Sequence, residues 1–245
     1  MSNVRIYDAV LREVADHFQP GSEFDYLDMG SGRGELIREM KKHYVCRVRA
    51  CDYTDKLMKG DQQVDLVNLN QERLPYADGS FDLVTASEVI EHLENFRQVI
   101  REMFRVCRPG GVIVLTTPNV LNIKSRLRYL TWGFANLFGP LPVGNEALFS
   151  TAGHINPVGF FYIAHALADA GFEGIRASTD KFQKSGLLPW LLLWLPIHFQ
   201  TWRAWRLERR KFRTLTPENE PLLRAVNSRQ LLLGRTAVVT ARKPG

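Results

Sequence analysis

Three cysteines in 245 residues, Cys46, Cys51 and Cys107, make neither an even set nor a metal-type spacing. They exclude a disulfide-stapled fold and fit reduced thiols in a cytosolic compartment. No run of about 20 uninterrupted apolar residues is present to span a bilayer. The least polar stretch, Gly186 to Trp202, has no Asp, Glu, Lys or Arg, but Pro189, Pro196, His198 and Gln200 interrupt it. Met1 to Gln19 mixes charges with apolar positions, so no charged-then-apolar secretion signal is expected there. A glycine loop ending in G-K-[ST] is also missing, which argues against nucleoside triphosphate chemistry. There are no internal repeats and no low-complexity tracts.

What is present is an ordinary globular composition, 45% hydrophobic and 24% charged, with a net charge of +6. The excess of base is local. Lys184, Arg203, Arg206, Arg209, Arg210, Lys211, Arg213 and Arg224 crowd the segment 182–228. A charge confined to one segment suggests one anionic partner, not a surface coated for nucleic acid.

Apolar periodicity predicts a helix from Asn3 to Phe18, a strand from Phe24 to Met29 and a helix from Glu35 to His43. Further strands are expected at Val45 to Cys51, Val64 to Leu69, Phe81 to Ala86 and Val112 to Thr117, with a helix from Asn95 to Val106. Ile155 to Ala170 is expected as a helix, Phe172 to Ser178 as a strand and Gln230 to Ala241 as a last strand. This alternation implies an α/β chain, 1–245, with a Rossmann-like, seven-stranded, mostly parallel sheet covered by helices on both faces. Two stretches break the rhythm: 121–150, a lid-type insertion, and 182–228, an apolar and basic insertion between the last two strands. Connections that long are usually functional or disordered.

The strongest chemical signal is Leu27-Asp28-Met-Gly30-Ser31-Gly32-Arg-Gly34-Glu-Leu36, placed between a strand and a helix. Glycines there let backbone approach a ligand closely. An acid two residues before the first glycine disfavours a pyrophosphate and suits a ligand with an ammonium group. Asp52 ends the next strand, where a carboxylate can accept both hydroxyls of a ribose.

These features, with Leu74-Pro-Tyr, Gly79-Ser-Phe-Asp82, Ser87-Glu-Val-Ile-Glu-His-Leu93, Arg108-Pro-Gly-Gly-Val112 and Thr117-Pro-Asn119, resemble the class I S-adenosylmethionine-dependent methyltransferases. The resemblance covers about Phe24 to Asn119 and, more loosely, Gly153 to Ser178. It implies S-adenosylmethionine as cofactor, held by Asp28, Gly30, Ser31, Gly32, Gly34, Asp52, Tyr53, Ser87 and Glu88. That family often contacts adenine through an Asp before Leu-Pro. Here Asn68, Asn70 and Gln71 stand in that region. Glu88, Glu91 and His92 lie at i, i+3 and i+4, so on one helical turn they would share a face. With His154, they look like the Glu-x-x-Glu-His plus distal His arrangement of small-RNA 2′-O-methyltransferases. The motif is similar in ubiquinone-biosynthesis O-methyltransferases, and both families are associated with a divalent metal. The resemblance thus offers His92 and His154 as catalytic or substrate-contacting residues, and Glu88, Glu91, His92 and His154 as a possible divalent-metal set. The competing reading makes Glu-His-Leu part of the cofactor-side wall.

Four of the five tryptophans, Trp190, Trp194, Trp202 and Trp205, fall within sixteen residues beside the basic cluster. Tryptophan next to leucine runs with arginine behind them is the composition of an interfacial membrane contact. A protein-facing lid or dimer arm has the same composition. In 121–150, Lys124, Arg126 and Arg128 alternate with apolar residues, as an anion-binding cover or an ordinary amphipathic lid would. The expectation is therefore a cytoplasmic, peripheral-membrane methyltransferase that methylates oxygen of a lipid-linked, glycan or other hydrophobic acceptor. RNA O-methylation and a non-catalytic cofactor-binding adaptor are the alternatives. A nucleic-acid partner is disfavoured because the basic patch adjoins a Trp/Leu run.

Overall fold

The alternation of strands and helices closes into one seven-stranded sheet in the computed structural model, which describes residues 2–143 and 153–245, with side chains from Val4 onward. The strands are β1 (Glu23–Met29), β2 (Val45–Asp52), β3 (Val64–Leu66), β4 (Phe81–Ser87), β5 (Cys107–Pro118), β6 (Glu173–Thr179) and β7 (Thr236–Arg242). Their spatial order is β3-β2-β1-β4-β5-β7-β6. The first five run parallel, and β7 is antiparallel to both β5 and β6.

Alternation along each strand sends neighbours to opposite faces. Tyr26, Leu83, Val112 and Val114 meet Val10 and Val14 of α1 (Ser2–Ala15), and Ile37 and Met40 of α2 (Glu35–His43). Leu27, Val84, Ile113 and Val239 meet Ile100 and Met103 of α3 (Phe96–Val106), and Ile163 and Leu167 of α5 (Phe160–Ala170). From β1 the chain winds one way through β2 and β3, then returns to build β4 and β5. That reversal opens a crevice at the carboxyl ends of β1 and β4, where doubly wound sheets place ligands.

The remaining helices are α4 (Ile123–Trp132), α6 (Leu187–Leu207), α7 (Glu220–Ala225) and α8 (Arg229–Leu233). Three sequence expectations are corrected. Helix α5 starts at Phe160, not Ile155, because Pro157 disfavours helix at Asn156. The Asn156 N–H instead donates to the Glu91 carbonyl, and its Nδ2 donates to the Leu93 carbonyl. Residues 230–233 belong to α8 and not to the last strand. Ser228 caps that helix by accepting the Leu231 N–H, and Leu231, Leu232 and Leu233 are all buried. The apolar stretch at 186–202 is not broken, since α6 runs through both of its prolines. Pro189 is the third residue of α6, where no partner for its missing N–H is needed. No helix among the described residues is long and apolar enough to cross a membrane. Of the lid-type insertion, residues 144–150 lie outside the described residues.

Asn119 ties the end of β5 to α8. Its Nδ2 donates to the carbonyls of Leu231 and Gly234, both bonds buried, and its Oδ1 accepts the half-buried Leu121 N–H. Asn119→Ala strands these backbone groups, so we expect a loss of about 3 kcal/mol, measured by urea denaturation.

Candidate functional site

The loop after β1 is shaped by backbone hydrogen bonds to the end of β2. The Gly30 N–H donates to the Cys51 carbonyl at 2.8 Å, and the Gly32 N–H donates to Asp52 Oδ2 at 2.8 Å. Gly30 and Gly32 hold φ of 66° and 49°, a region that favours glycine. A Cβ on Gly30 would collide with Val89, whereas a Cβ on Gly32 would meet nothing closer than 4.0 Å. Gly32 therefore borders open space. That space is a cavity of about 550 Å3 at the carboxyl ends of β1, β2 and β4, a volume suited to a nucleoside-sized ligand.

Gly30, Gly32, Asp52, Tyr53, Asn70, Glu88 and His92 line this cavity. Asp28 does not. Its Oδ1 accepts the Thr85 hydroxyl at 2.7 Å behind the loop, and burial raises its carboxyl to about 7. Ser31 lies beside the cavity with its Oγ buried and unpartnered, as is the Ser87 Oγ at the end of β4. Gly34 caps α2, and Gln71 is exposed and off the wall. Asn68 joins Asn70 on the wall, with Leu66, Val67, Leu69, Val89 and Leu93 as an apolar surface for a planar ring. Those apolar residues escaped the sequence reading. Their signal is the alternation after β3, which is too short to stand out.

The Glu-x-x-Glu-His segment is not one helical face. Glu88 adopts φ of 57°, a strained left-handed conformation for a non-glycine residue, and residues 90–92 form a single 3-10 turn. The two carboxyls go to successive residues of β5, whose side chains leave opposite faces of the strand. Thr116 Oγ1 donates to Glu88 Oε1 at 3.1 Å, and Thr117 Oγ1 donates to Glu91 Oε2 at 3.2 Å. Burial pushes Glu88 up to about 7. Glu91 is fully buried, and burial followed by the charge of Glu88 pushes its carboxyl well above the usual range.

His92 Nδ1 lies 2.8 Å from the Gly153 carbonyl. A carbonyl only accepts, so Nδ1 carries the proton and Nε2 is bare in the neutral ring. The His154 ring meets His92 edge-on at 4.9 Å between centroids and packs against Phe138 at 5.3 Å. Burial lowers the pKa of both imidazoles, and for His154 the neighbouring His92 adds to the effect. Glu91, His92 and His154 bring ligand-type atoms within 4.8 Å of one another. Glu91 Oε1 and His154 Nδ1 are buried without partners, so these three side chains fit a divalent cation. Glu88 is outside that group, which corrects the four-residue set.

Of the α4 cations, Arg126 and Arg128 are committed to backbone. Arg126 donates to the Leu121 and Val226 carbonyls, and Arg128 donates to Ala135 and Phe138 while lying 4.4 Å over Trp132. In α6, the half-buried residues Trp190, Leu193, Ile197, Thr201 and Trp205 form the seam toward the body. Leu188, Leu191, Leu192, Leu195, Phe199 and Trp202 share one outward arc of about 100° and are 53–71% exposed. Arg203 and Arg206 extend that arc, stacked over Phe199 at 6.0 Å and Trp202 at 5.1 Å.

Residues 27–115 match the profile of the family described as "Methyltransferase domain". The chain is similar to a sarcosine/dimethylglycine N-methyltransferase of Halorhodospira halochloris, 33% identical over 110 residues, which are 41% of this chain and 39% of that protein. It spans about two-fifths of the length of the first curated relatives it matches. Among solved structures, a SAM dependent methyltransferase from Archaeoglobus fulgidus superimposes with a TM-score of 0.60 at 16% identity, covering 99% of this chain and 94% of that one. A Haemonchus contortus phosphoethanolamine N-methyltransferase 2 in complex with S-adenosyl-L-methionine gives a TM-score of 0.54 at 16% identity, covering 98% of this chain and 52% of that one. At these identities the likeness is one of fold.

Proposed function

We propose, from the premise that residues 27–115 belong to the methyltransferase domain family of the class I S-adenosylmethionine-dependent fold, that this chain methylates a hydroxyl oxygen of a hydrophobic acceptor at a membrane surface. The observation that carries the reading is a bare imidazole nitrogen, His92 Nε2, on a ring that lines the cofactor-sized cavity.

S-adenosylmethionine, when bound, supplies a methyl group on a cationic sulfur. The side chains present fit it. Asp52 closes the cavity where a ribose belongs, and Asn68 and Asn70 offer amides beside an apolar wall. Glu88 supplies a carboxyl whose ionised form favours a nearby cation. His92 Nε2 takes the proton of the acceptor hydroxyl as that oxygen gains the methyl. The Gly153 carbonyl, holding Nδ1–H, then stabilises the imidazolium. His154 buttresses the His92 ring. The exposed apolar arc of α6, with arginines at one end, supports peripheral attachment to an anionic bilayer. Three free thiols support a cytoplasmic site.

The pH profile tests the base. Both imidazoles have lowered pKa values, so they remain neutral and competent down to below the ordinary 6.5. We expect kcat to be flat above 6.5 and to fall only below it. His92→Ala should cost about 10²–10⁴ in kcat and remove that acid limb. A limb already falling through about 7 would instead assign control to Glu88. Transfer of labelled methyl should appear in extracted lipids; labelling of free polar metabolites or RNA alone overturns the acceptor class.

A second reading of the same side chains rests on the unpartnered atoms of Glu91 and His154. Glu91, His92 and His154 would hold a divalent ion, which supplies Lewis acidity that lowers the hydroxyl pKa. Activity abolished by chelation and restored by one divalent metal selects this reading; activity indifferent to chelation selects the imidazole alone.

A further inference from the structure

A second cavity, of about 210 Å3, opens at the carboxyl end of β5, between the start of α4 and the segment leading into α6. It is lined by Pro118, Asn119, Lys124, Leu137, Gln183 and Arg235, among others. It lies close to the imidazole pair: Leu137 lines the cavity, and the next residue, Phe138, packs on His154 at 5.3 Å between ring centroids. Pro118 follows Thr116 and Thr117, which hold the Glu88 and Glu91 carboxyls. The influence of Arg235 on Glu88 agrees with this proximity.

The cavity's chemistry is that of an anion site. Lys124 comes from α4 and Arg235 from the approach to β7, so two unrelated elements direct cations to one small space. Lys124 Nζ donates to Ser185 Oγ at 3.1 Å, which uses one of the three ammonium donors. Asp180 lies 4.0 Å from Arg235 and is engaged by the Thr236 N–H at 3.0 Å. Among the described residues that line the cavity, Lys124 and Arg235 are the charged ones, and no carboxylate lines it. The volume suits a phosphate or carboxylate and is too small for a nucleotide. The amides of Asn119 and Asn122 are engaged by backbone, so specificity falls to the two cations, Asn136 and Gln183.

What leaves the cavity is equally informative. Ser185, the partner of Lys124, lies two residues before Leu187, where α6 begins. The outward apolar arc of α6 starts at Leu188, three residues after Ser185.

We propose that this cavity binds an anionic group, phosphate or carboxylate, of the acceptor itself, with Lys124 and Arg235 as counter-charges and the apolar remainder running out along α6. The acceptor is thus an anionic amphiphile whose methylated hydroxyl lies between its charge and the His92–His154 pair. This rests on the acceptor reading given above, but its test does not depend on turnover.

Dodecyl phosphate, inorganic phosphate and neutral dodecyl maltoside, each below its micelle concentration, are titrated into the full chain and binding is followed by NMR or calorimetry. We expect dodecyl phosphate to bind at least tenfold more tightly than the maltoside. Lys124→Gln should lose about tenfold for the phosphate only, and Lys124→Arg should restore it, with melting temperature and S-adenosylmethionine binding unchanged. Equal affinity for the charged and neutral detergents, or an unaltered Lys124→Gln, overturns the anion site. Inorganic phosphate binding as tightly as dodecyl phosphate overturns the amphiphile and leaves a small free anion. Failure of methyl transfer with these binding results intact counts against the reaction and not against this site.

Discussion

Gly32→Arg is expected to lower affinity for S-adenosylmethionine by more than about 10³-fold, or about 4 kcal/mol, while the chain remains folded. The asymmetry between neighbouring glycines underlies this. At Gly30 any side chain would be driven into Val89, so a substitution there confuses unfolding with loss of binding. At Gly32 the first side-chain atom enters free space on the cavity wall, and a guanidinium would fill the volume and bring a positive charge where a cationic sulfur must lie. The backbone strain at φ of 49° costs about 1–2 kcal/mol in stability, small beside the binding loss. Calorimetric titration with a parallel thermal melt separates the two. Undiminished binding in a folded variant would remove the cavity from the cofactor site.

The second large effect belongs to α6. Leu188, Leu191, Leu192 and Leu195 are 63–71% exposed and share one arc, so changing all four to Ser removes apolar surface without touching the core. Even at about 1 kcal/mol each, less than full burial of a leucine yields, the quadruple variant loses about 4 kcal/mol of bilayer affinity. Partition onto vesicles containing anionic phospholipid, read by sedimentation, should fall by about 10³-fold with the melting temperature unchanged. Raising salt should weaken the original chain further, because Arg203 and Arg206 stand at the end of the same arc. A quadruple variant that sediments like the original, or a loss seen equally as dissociation of a dimer, would overturn membrane attachment.

The meeting of the glycine loop with Asp52 at one cavity was legible because backbone dictates it. A strand that ends in closely spaced glycines and a neighbouring strand that ends in Asp52 have few ways to sit in a parallel sheet. The register Met29 opposite Cys51 fixes their ends side by side. The carboxylates were harder. Whether Asp28 faces the ligand or the sheet depends on Thr85, 57 residues away, and no local pattern carries that partner. The Glu-x-x-Glu-His spacing suggested a shared helical face, but the left-handed backbone at Glu88 sends the two carboxyls to adjacent threonines of β5. Leucines 231–233 look equally suited to strand and helix; Ser228 decides by capping. In α6 the prolines suggested interruption, although the first falls where a helix tolerates it and the helix continues through the second.

The stretch from Gly153 to Asn156 is fastened to the turn that carries His92 at three points: the Gly153 carbonyl on Nδ1, the Asn156 N–H on Glu91 and the Asn156 amide on Leu93. On the proposed function, the stretch that follows the 121–150 insertion is therefore also the bracket that sets the tautomer of the proposed proton acceptor. Such a lid is not an interchangeable cassette. On the proposed function, a chimera joined ahead of Gly153 keeps that bracket and is expected to change acceptor preference while the Nδ1 contact of His92 is retained. One joined beyond Pro157 imports a foreign bracket and retunes the imidazole along with it, so new substrates and altered proton chemistry would be inherited together.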